Sequence, residues 1–215
     1  MALLDEETKN QLKKMFSGLG GKVKLIFFKP SAGCQFCDQI EELLSEVAST
    51  SSVISKEVYI LENEEELAER YRVDKAPVII IEGKNKGLVR YFGIPSGHEF
   101  STFVQDIIDS STGEVELPED LKQQILRIDF PVHIRVFVTP TCPYCPPAVK
   151  LAHDFAILNE NVVADMIEAV EFGELAMRYG VQGVPKTVVN DRIELEGLYP
   201  ADIVVKRILE LKGKG

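Results

Sequence analysis

The sequence predicts an α/β protein of two tandem units, each with a central mixed β-sheet flanked by α-helices. Three observations carry that prediction. Two Cys-x-x-Cys pairs, Cys34-Gln35-Phe36-Cys37 and Cys142-Pro143-Tyr144-Cys145, lie 108 residues apart and contain all four cysteines. A second landmark repeats at the same interval, with Tyr71-Arg72-Val73-Asp74-Lys75-Ala76-Pro77 facing Tyr179-Gly180-Val181-Gln182-Gly183-Val184-Pro185. A β-rich run ending in proline precedes each cysteine pair, Val23 to Pro30 and Val132 to Pro140. Two independent landmarks at one spacing mark a duplication of about 105 residues per unit, not a solenoid of three or more short repeats.

Each element follows from local pattern. Asp5 to Met15 reads as a helix, with Leu12, Met15 and Phe16 at helical spacing. Val23 to Lys29 is a strand. A helix begins at Cys37 and presents Ile40, Leu43, Leu44 and Val47 on one face. Val53 to Leu61 is a strand and Glu64 to Tyr71 a helix whose acidic start suits the dipole. Pro77 leads the strand Val78 to Glu82, and Gly83-Lys84-Asn85-Lys86-Gly87 turns into the strand Leu88 to Phe92. Glu99 to Asp109 closes the unit as a helix. Ser110-Ser111-Thr112-Gly113 is the expected linker, dividing the chain into units 1–113 and 114–215. Pro118 suits a helix's first turn. The order then repeats: helix 119–128, strand 132–138, helix 146–159, strand 162–168, helix 171–179, strands 187–190 and 193–196, helix 201–212. Pro146 and Pro147 push the regular helix start to about Pro146, leaving the cysteines on its lead-in turn. Strand–helix–strand order implies a right-handed parallel crossover, and the Asn190-Asp191 turn an antiparallel pair.

Composition narrows the function. Lys and Arg number 24 against 34 Asp and Glu, a formal charge of −10, and no basic run interrupts the acidity. Nucleic acid and anionic membrane are therefore set aside as partners. The apolar run Ala76 to Ile81 is far shorter than a membrane span of about 20 residues. The N-terminus turns acidic by Asp5-Glu6-Glu7, before a basic or apolar signal segment forms, so a cytoplasmic location is expected. Only 13 Asn and Gln, no Trp and abundant Glu and Lys lean towards a thermophilic source.

The cysteine pairs carry the chemistry. A thiol at the opening of a helix meets unpaired backbone N–H groups and the positive end of the dipole, both of which stabilise the nucleophilic thiolate. A partner three residues on can attack a mixed disulfide from the same turn, so one Cys-x-x-Cys performs both halves of dithiol–disulfide exchange. Cys34 and Cys142 are the expected nucleophiles, Cys37 and Cys145 the more buried resolving thiols. Paired Cys-x-x-Cys also binds zinc, but with about 12–20 residues between pairs, against 104 here. No metal and no organic cofactor is expected.

Strand, Cys-x-x-Cys, helix, strand, helix, proline-led hairpin and final helix resemble the thioredoxin fold. Cys142-Pro143-Tyr144-Cys145 is similar to the glutaredoxin-type tetrapeptide, and Gly183-Val184-Pro185 resembles the loop that carries the family's cis-proline. Two such units over essentially the whole chain resemble the protein disulfide oxidoreductases of archaea and bacteria. The resemblance implies two tandem thioredoxin-like folds and a thiol–disulfide oxidoreductase that oxidises, reduces or isomerises disulfides in client proteins. It implies a cis bond at Ala76-Pro77 and Val184-Pro185, where the residue before proline offers its backbone to an extended substrate. It also implies an electron-exchanging flavoprotein partner of the thioredoxin-reductase type. The alternative is a dedicated electron-transfer module that reduces a peroxidase through one dominant Cys-x-x-Cys.

The loop from Pro30 to Cys34 is longer than that from Pro140 to Cys142, and Gln35-Phe36 departs from the commoner dipeptides, so Cys142 is expected to react first. Thioredoxins place a buried acid on the strand before the nucleophile, whereas these strands carry Lys24, Lys29, His133 and Arg135. Asp165 and Glu168 on the next strand are either a substitute acid or, more plainly, solvated charge. Lys29 is placed to favour the Cys34 thiolate. Phe36 and Tyr144 flank the thiols as an apolar landing surface. His98, His133 and His153 read as surface or packing residues.

Overall fold

The structure, a computed structural model, describes residues 3–212; Met1 and Ala2 of the acidic N-terminal stretch, and 213–215, lie outside it. The first unit contributes α1 (Glu6–Met15), β1 (Val23–Lys29), α2 (Cys37–Ser49), β2 (Ile54–Ile60), α3 (Glu65–Arg70), β3 (Val78–Glu82), β4 (Leu88–Phe92) and α4 (Glu99–Thr112). The second contributes α5 (Glu119–Leu126), β5 (Val132–Val138), α6 (Cys145–Leu158), β6 (Val162–Glu168), α7 (Gly173–Arg178), β7 (Lys186–Val189), β8 (Ile193–Glu196) and α8 (Ala201–Leu209).

Strand periodicity and helix spacing place these elements much as expected. Asp5 caps α1 by accepting from the Thr8 N–H at 2.7 Å. Leu12 and Phe16 are buried, but Met15 faces solvent, because a narrow stripe suffices for a helix at the rim. Ser110-Ser111-Thr112 is not a linker: α4 runs through it and ends at Gly113, whose φ of 75° supplies the left-handed cap. Ser110 and Ser111 are buried. Small side chains let the helix end approach the β3–β4 turn, where the Lys84 N–H donates to the Ser110 carbonyl at 2.6 Å.

The eight strands among the described residues form one sheet in the order β2-β1-β3-β4-β6-β5-β7-β8. β1 pairs parallel with β2 and antiparallel with β3, and β5 repeats this with β6 and β7. The hairpins β3–β4 and β7–β8 are antiparallel. The units join head to tail where β4 pairs parallel with β6, from Leu88 opposite Val163 to Phe92 opposite Ile167. Gly87 permits that junction. Its N–H donates to the Ala156 carbonyl at 2.7 Å, and a Cβ there would lie 2.1 Å from the Val162 carbonyl oxygen.

Helices α1, α2, α4, α5, α6 and α8 cover one face over a core continuous through both units, including Phe27, Leu44, Phe103, Val149 and Ile208. The shorter α3 and α7 cover the other, over Phe28, Phe92, Phe137 and Ile167. The pairings make β1, β4, β5 and β6 all run the same way. The loops that leave β1 and β5 for the cysteines therefore open at the same edge of the sheet. Four strand spacings separate β1 from β5 in the sheet order, about 19 Å. No helix among the described residues is long and apolar enough to cross a membrane.

Candidate functional site

Both Cys-x-x-Cys pairs are closed as disulfides, Cys34–Cys37 and Cys142–Cys145. In each, the second cysteine is the first residue of a helix, after Phe36 or Tyr144 at the cap. That places Cys37 and Cys145 in the core, while Cys34 is half-buried. Cys142 is only 7% exposed, less open than Cys34, and in each pair the first cysteine is more open than the second. The two helix starts differ chemically. In α2, Cys37, Asp38 and Gln39 head the helix with free N–H groups, and the first helical bond is Ile40 N–H to the Phe36 carbonyl. In α6, Pro146 and Pro147 lie inside the first turn and supply no N–H. The start of α2 thus offers more free backbone N–H groups than the proline-headed start of α6.

The peptide bonds Ala76-Pro77 and Val184-Pro185 are both cis. In the second unit Cys142 Sγ lies 3.6 Å from the Val184 carbonyl oxygen. Pro185 leads into β7, which pairs with β5, as Pro77 leads into β3, which pairs with β1. Each proline thus opens at the edge where its unit's cysteines sit. Tyr144 is 65% exposed beside the second disulfide, whereas Phe36 is half-buried against the core.

Several expectations fail here. Lys29 does not serve Cys34: its ammonium is 2.7 Å from the Glu41 carboxylate on α2, whose pKa it lowers by hydrogen bonding. Asp165 is buried, not solvated, and lies on the α3/α7 face of the sheet, away from α6. Arg90 grips it through Nε at 2.7 Å and Nη2 at 2.9 Å, and His133 Nε2 is 2.6 Å away. Burial opposes ionisation of Asp165, but Arg90 and His133 hold its carboxyl well below the usual range. His133 is therefore part of a polar network, not plain packing. Glu168 is also buried; it lies on the α6 side at the end of β6, opposite Val138, and its Oε2 accepts from the Glu171 N–H at 2.6 Å.

The residue the sequence reading missed is Glu99. It is buried, and neither carboxylate oxygen has a hydrogen-bond partner. Burial, with Asp106 about two turns on as a second cause, pushes its pKa up to about 8. Gly97, at φ 60°, presses the start of α4 against Pro140, and the His98 N–H donates to the Pro140 carbonyl at 3.1 Å. Helices α4 and α6 start at the same edge and run side by side, with Asp106 bound to His153 Nδ1. Seven residues earlier on each helix, Glu99 is level with the first turn of α6, which opens at Cys145. Only one signal pointed to it: a lone acid at helical spacing from Phe103, Asp106 and Ile107 on a buried face. His153, read as surface or packing, is fully buried in the polar seam beneath, with Tyr91, Asp109, Lys150 and Asp154. Burial raises Asp154 to about 7 despite Lys150.

A thioredoxin frame with a reducible Cys-x-x-Cys at the sheet edge of each half defines a thiol–disulfide oxidoreductase. The thioredoxin domain family matches residues 22–105 and again 132–210, and the chain belongs to that family. Among solved structures it resembles a protein disulfide oxidoreductase from Aeropyrum pernix, at 27% identity and TM-score 0.87, covering 96% of this chain and 94% of that one. It equally resembles the alkylhydroperoxide reductase component AhpF of Enterococcus faecalis, at 25% identity and TM-score 0.87, covering 95% and 99%. The corresponding alkyl hydroperoxide reductase component of Staphylococcus epidermidis is 28% identical over 80% of this chain and 31% of its own length. An NADH dehydrogenase of Ferdinandcohnia aciditolerans is 25% identical over 99% and 38%. The chain thus spans about a third of the length of the curated relatives it matches.

Proposed function

We propose that the protein exchanges disulfides with client proteins at two sites, within units 1–113 and 114–215. Cys34 and Cys142 are the nucleophiles, Cys37 and Cys145 the resolving thiols, and Ala76-Pro77 and Val184-Pro185 the substrate-binding backbone. The observation that carries this reading is the 3.6 Å approach of Cys142 Sγ to the Val184 carbonyl, which puts an extended chain docked on that carbonyl beside the sulfur. In the reductive direction the Cys142 thiolate attacks one client sulfur, and the other leaves as a thiolate that takes up a proton. Cys145, deprotonated, then attacks Cys142 Sγ in the mixed disulfide. The client leaves as a dithiol, and two electrons have passed from the cysteine pair to it. Oxidation is the same sequence reversed.

Glu99 is the proton acceptor for Cys145. A carboxyl at about 8 is matched to a thiol whose ordinary pKa is about 8.5, the condition under which proton transfer is efficient. It accepts the thiol proton during resolution and returns it when the pair is reduced again. The pair is reloaded by a two-electron donor, a flavoprotein of the thioredoxin-reductase type, in the cytoplasm of a thermophilic cell.

The second reading, a module that passes electrons to a peroxidase, is favoured by the alkyl hydroperoxide reductase relatives, of which this chain matches about a third. Refolding of scrambled ribonuclease beside coupled peroxide reduction separates the two. Client refolding at a rate that needs both cysteine pairs supports the first reading; peroxidase coupling through one pair, without refolding, supports the second.

A further inference from the structure

We propose that the crevice between the units, on the α3/α7 face of the sheet, binds a small phosphate-bearing anion. The crevice holds about 360 Å3 and is lined by Arg72, Lys75 and Arg90 from the first unit and His133 and Arg135 from the second, with Asp74 as the acid at its wall. Such a concentration of basic side chains stands out in a chain of formal charge −10. Three of these cations are matched: Lys75 by Asp74, Arg90 by Asp165, and Arg135 by Asp191 at 2.8 Å. Arg72 forms no ion pair among the described residues, so the wall carries an unneutralised guanidinium. Guanidinium and ammonium groups offer donors and no acceptor, and the planar fork of Arg matches phosphoryl oxygens in pairs.

The internal duplication supplies a second, independent argument. Arg72 adopts a left-handed backbone, at φ 53°. Its counterpart 108 residues on is Gly180, at φ 57°, the residue type that takes this conformation without penalty. The first unit thus keeps a strained side chain where the second shows that glycine serves the turn. Two residues further, Asp74 and Lys75 stand where the second unit has Gln182 and Gly183. All three charges of the first-unit loop line the crevice at the junction. The corresponding loop of the second unit, before β7, lies away from the β4–β6 junction. Strain retained only where a side chain reaches a shared crevice points to a binding role for that side chain. The fork of Arg90 is occupied by Asp165, so Arg90 holds the floor while Arg72 and Arg135 reach the ligand.

The test uses the whole chain and inorganic phosphate as probe, titrated against chloride at constant ionic strength and followed by backbone amide NMR. Saturable shifts centred on residues 72–75, 133 and 190 are expected. Arg72→Gly is expected to weaken the affinity about tenfold, with a melting temperature in phosphate-free buffer equal to or above that of the parent. Arg72→Asn, which also tolerates the left-handed backbone, gives the same loss, and neither variant changes insulin reduction. Absence of saturable shifts, shifts centred elsewhere, or unchanged phosphate affinity in both variants would overturn the proposal.

Discussion

Replacing Glu99 by Gln removes the ionisable carboxyl that the protein holds uncharged in its interior and keeps the shape of the side chain. In the folded protein the carboxyl keeps its proton up to about pH 8; in the unfolded chain it loses it near 4.5. Between those values the folded state binds one proton more than the unfolded state. The stability Glu99 contributes is therefore fully present below about pH 4.5 and is lost as pH rises towards 8. The slope is about 1.4 kcal/mol per pH unit, and over the whole window about 5 kcal/mol is the ceiling. Asp154, raised to about 7, adds a slope of the same sign over the lower part of the window. Asp106, Asp109, Lys150, His153 and Tyr91 face the same seam and are unchanged by the substitution. Between pH 5 and 7 the variant should thus lose roughly half of the parent's pH dependence. With a urea m-value of about 2 kcal/mol/M, this is a midpoint difference of about 0.7 M per pH unit. Urea midpoints of the oxidised protein at pH 5, 6, 7 and 8 measure it. Parallel midpoint-versus-pH curves for the two proteins would refute the assignment of a buried, neutral Glu99. Glu168→Gln, which changes a buried acid on the α6 side outside the α4/α6 seam, serves as the control.

Other perturbations have defined outcomes. Replacing Cys34 and Cys37 together by Ser should leave measurable insulin reduction through the second pair; total loss would indicate a relay between the sites. Asp165→Asn leaves Arg90 buried without its counter-charge and should lower stability by about 3–5 kcal/mol in chemical denaturation. Because Arg90 and His133 depress the Asp165 pKa, its contribution is present above about pH 4 in the parent and fades as pH falls below that; the variant should lack this acid limb. Gly87→Ala drives a methyl group to 2.1 Å from the Val162 carbonyl and should cost about 3 kcal/mol, read as a drop in the melting temperature. Unchanged melting would mean that the β4–β6 junction is looser than described.

The strands were legible in the sequence because proline and glycine punctuate them and their apolar residues are continuous or alternate. Val23–Lys29, Val78–Glu82, Leu88–Phe92, Val132–Val138, Val162–Glu168 and Ile193–Glu196 fall where the pattern places them. The cysteine pairs and the two proline loops were legible as a repeat at one interval. What the sequence does not state is how one unit meets the other. Nothing in Leu88 to Phe92 announces that β4 pairs with β6, and that pairing buries Arg90, Asp165 and the seam around His153. Ser110-Ser111 has the composition of a linker, yet tertiary contact with the β3–β4 turn keeps it helical. Glu99 escaped for the same reason: a carboxylate on an amphipathic helix reads as solvated until a second helix covers it. Lys29 was drawn towards a thiol by proximity in sequence, while Glu41, one turn beyond Cys37, was closer in space.

Trapping the client intermediate tests the assignment of the two nucleophiles most directly. Cys37→Ser and Cys145→Ser variants, reduced and then mixed with an oxidised protein client, remove the resolving thiol at one site each. Peptide mapping of the trapped species should find the client joined to Cys34 in the first variant and to Cys142 in the second. A client joined instead to Cys37 in Cys34→Ser, or to Cys145 in Cys142→Ser, with no adduct in the resolving-thiol variants, would contradict it.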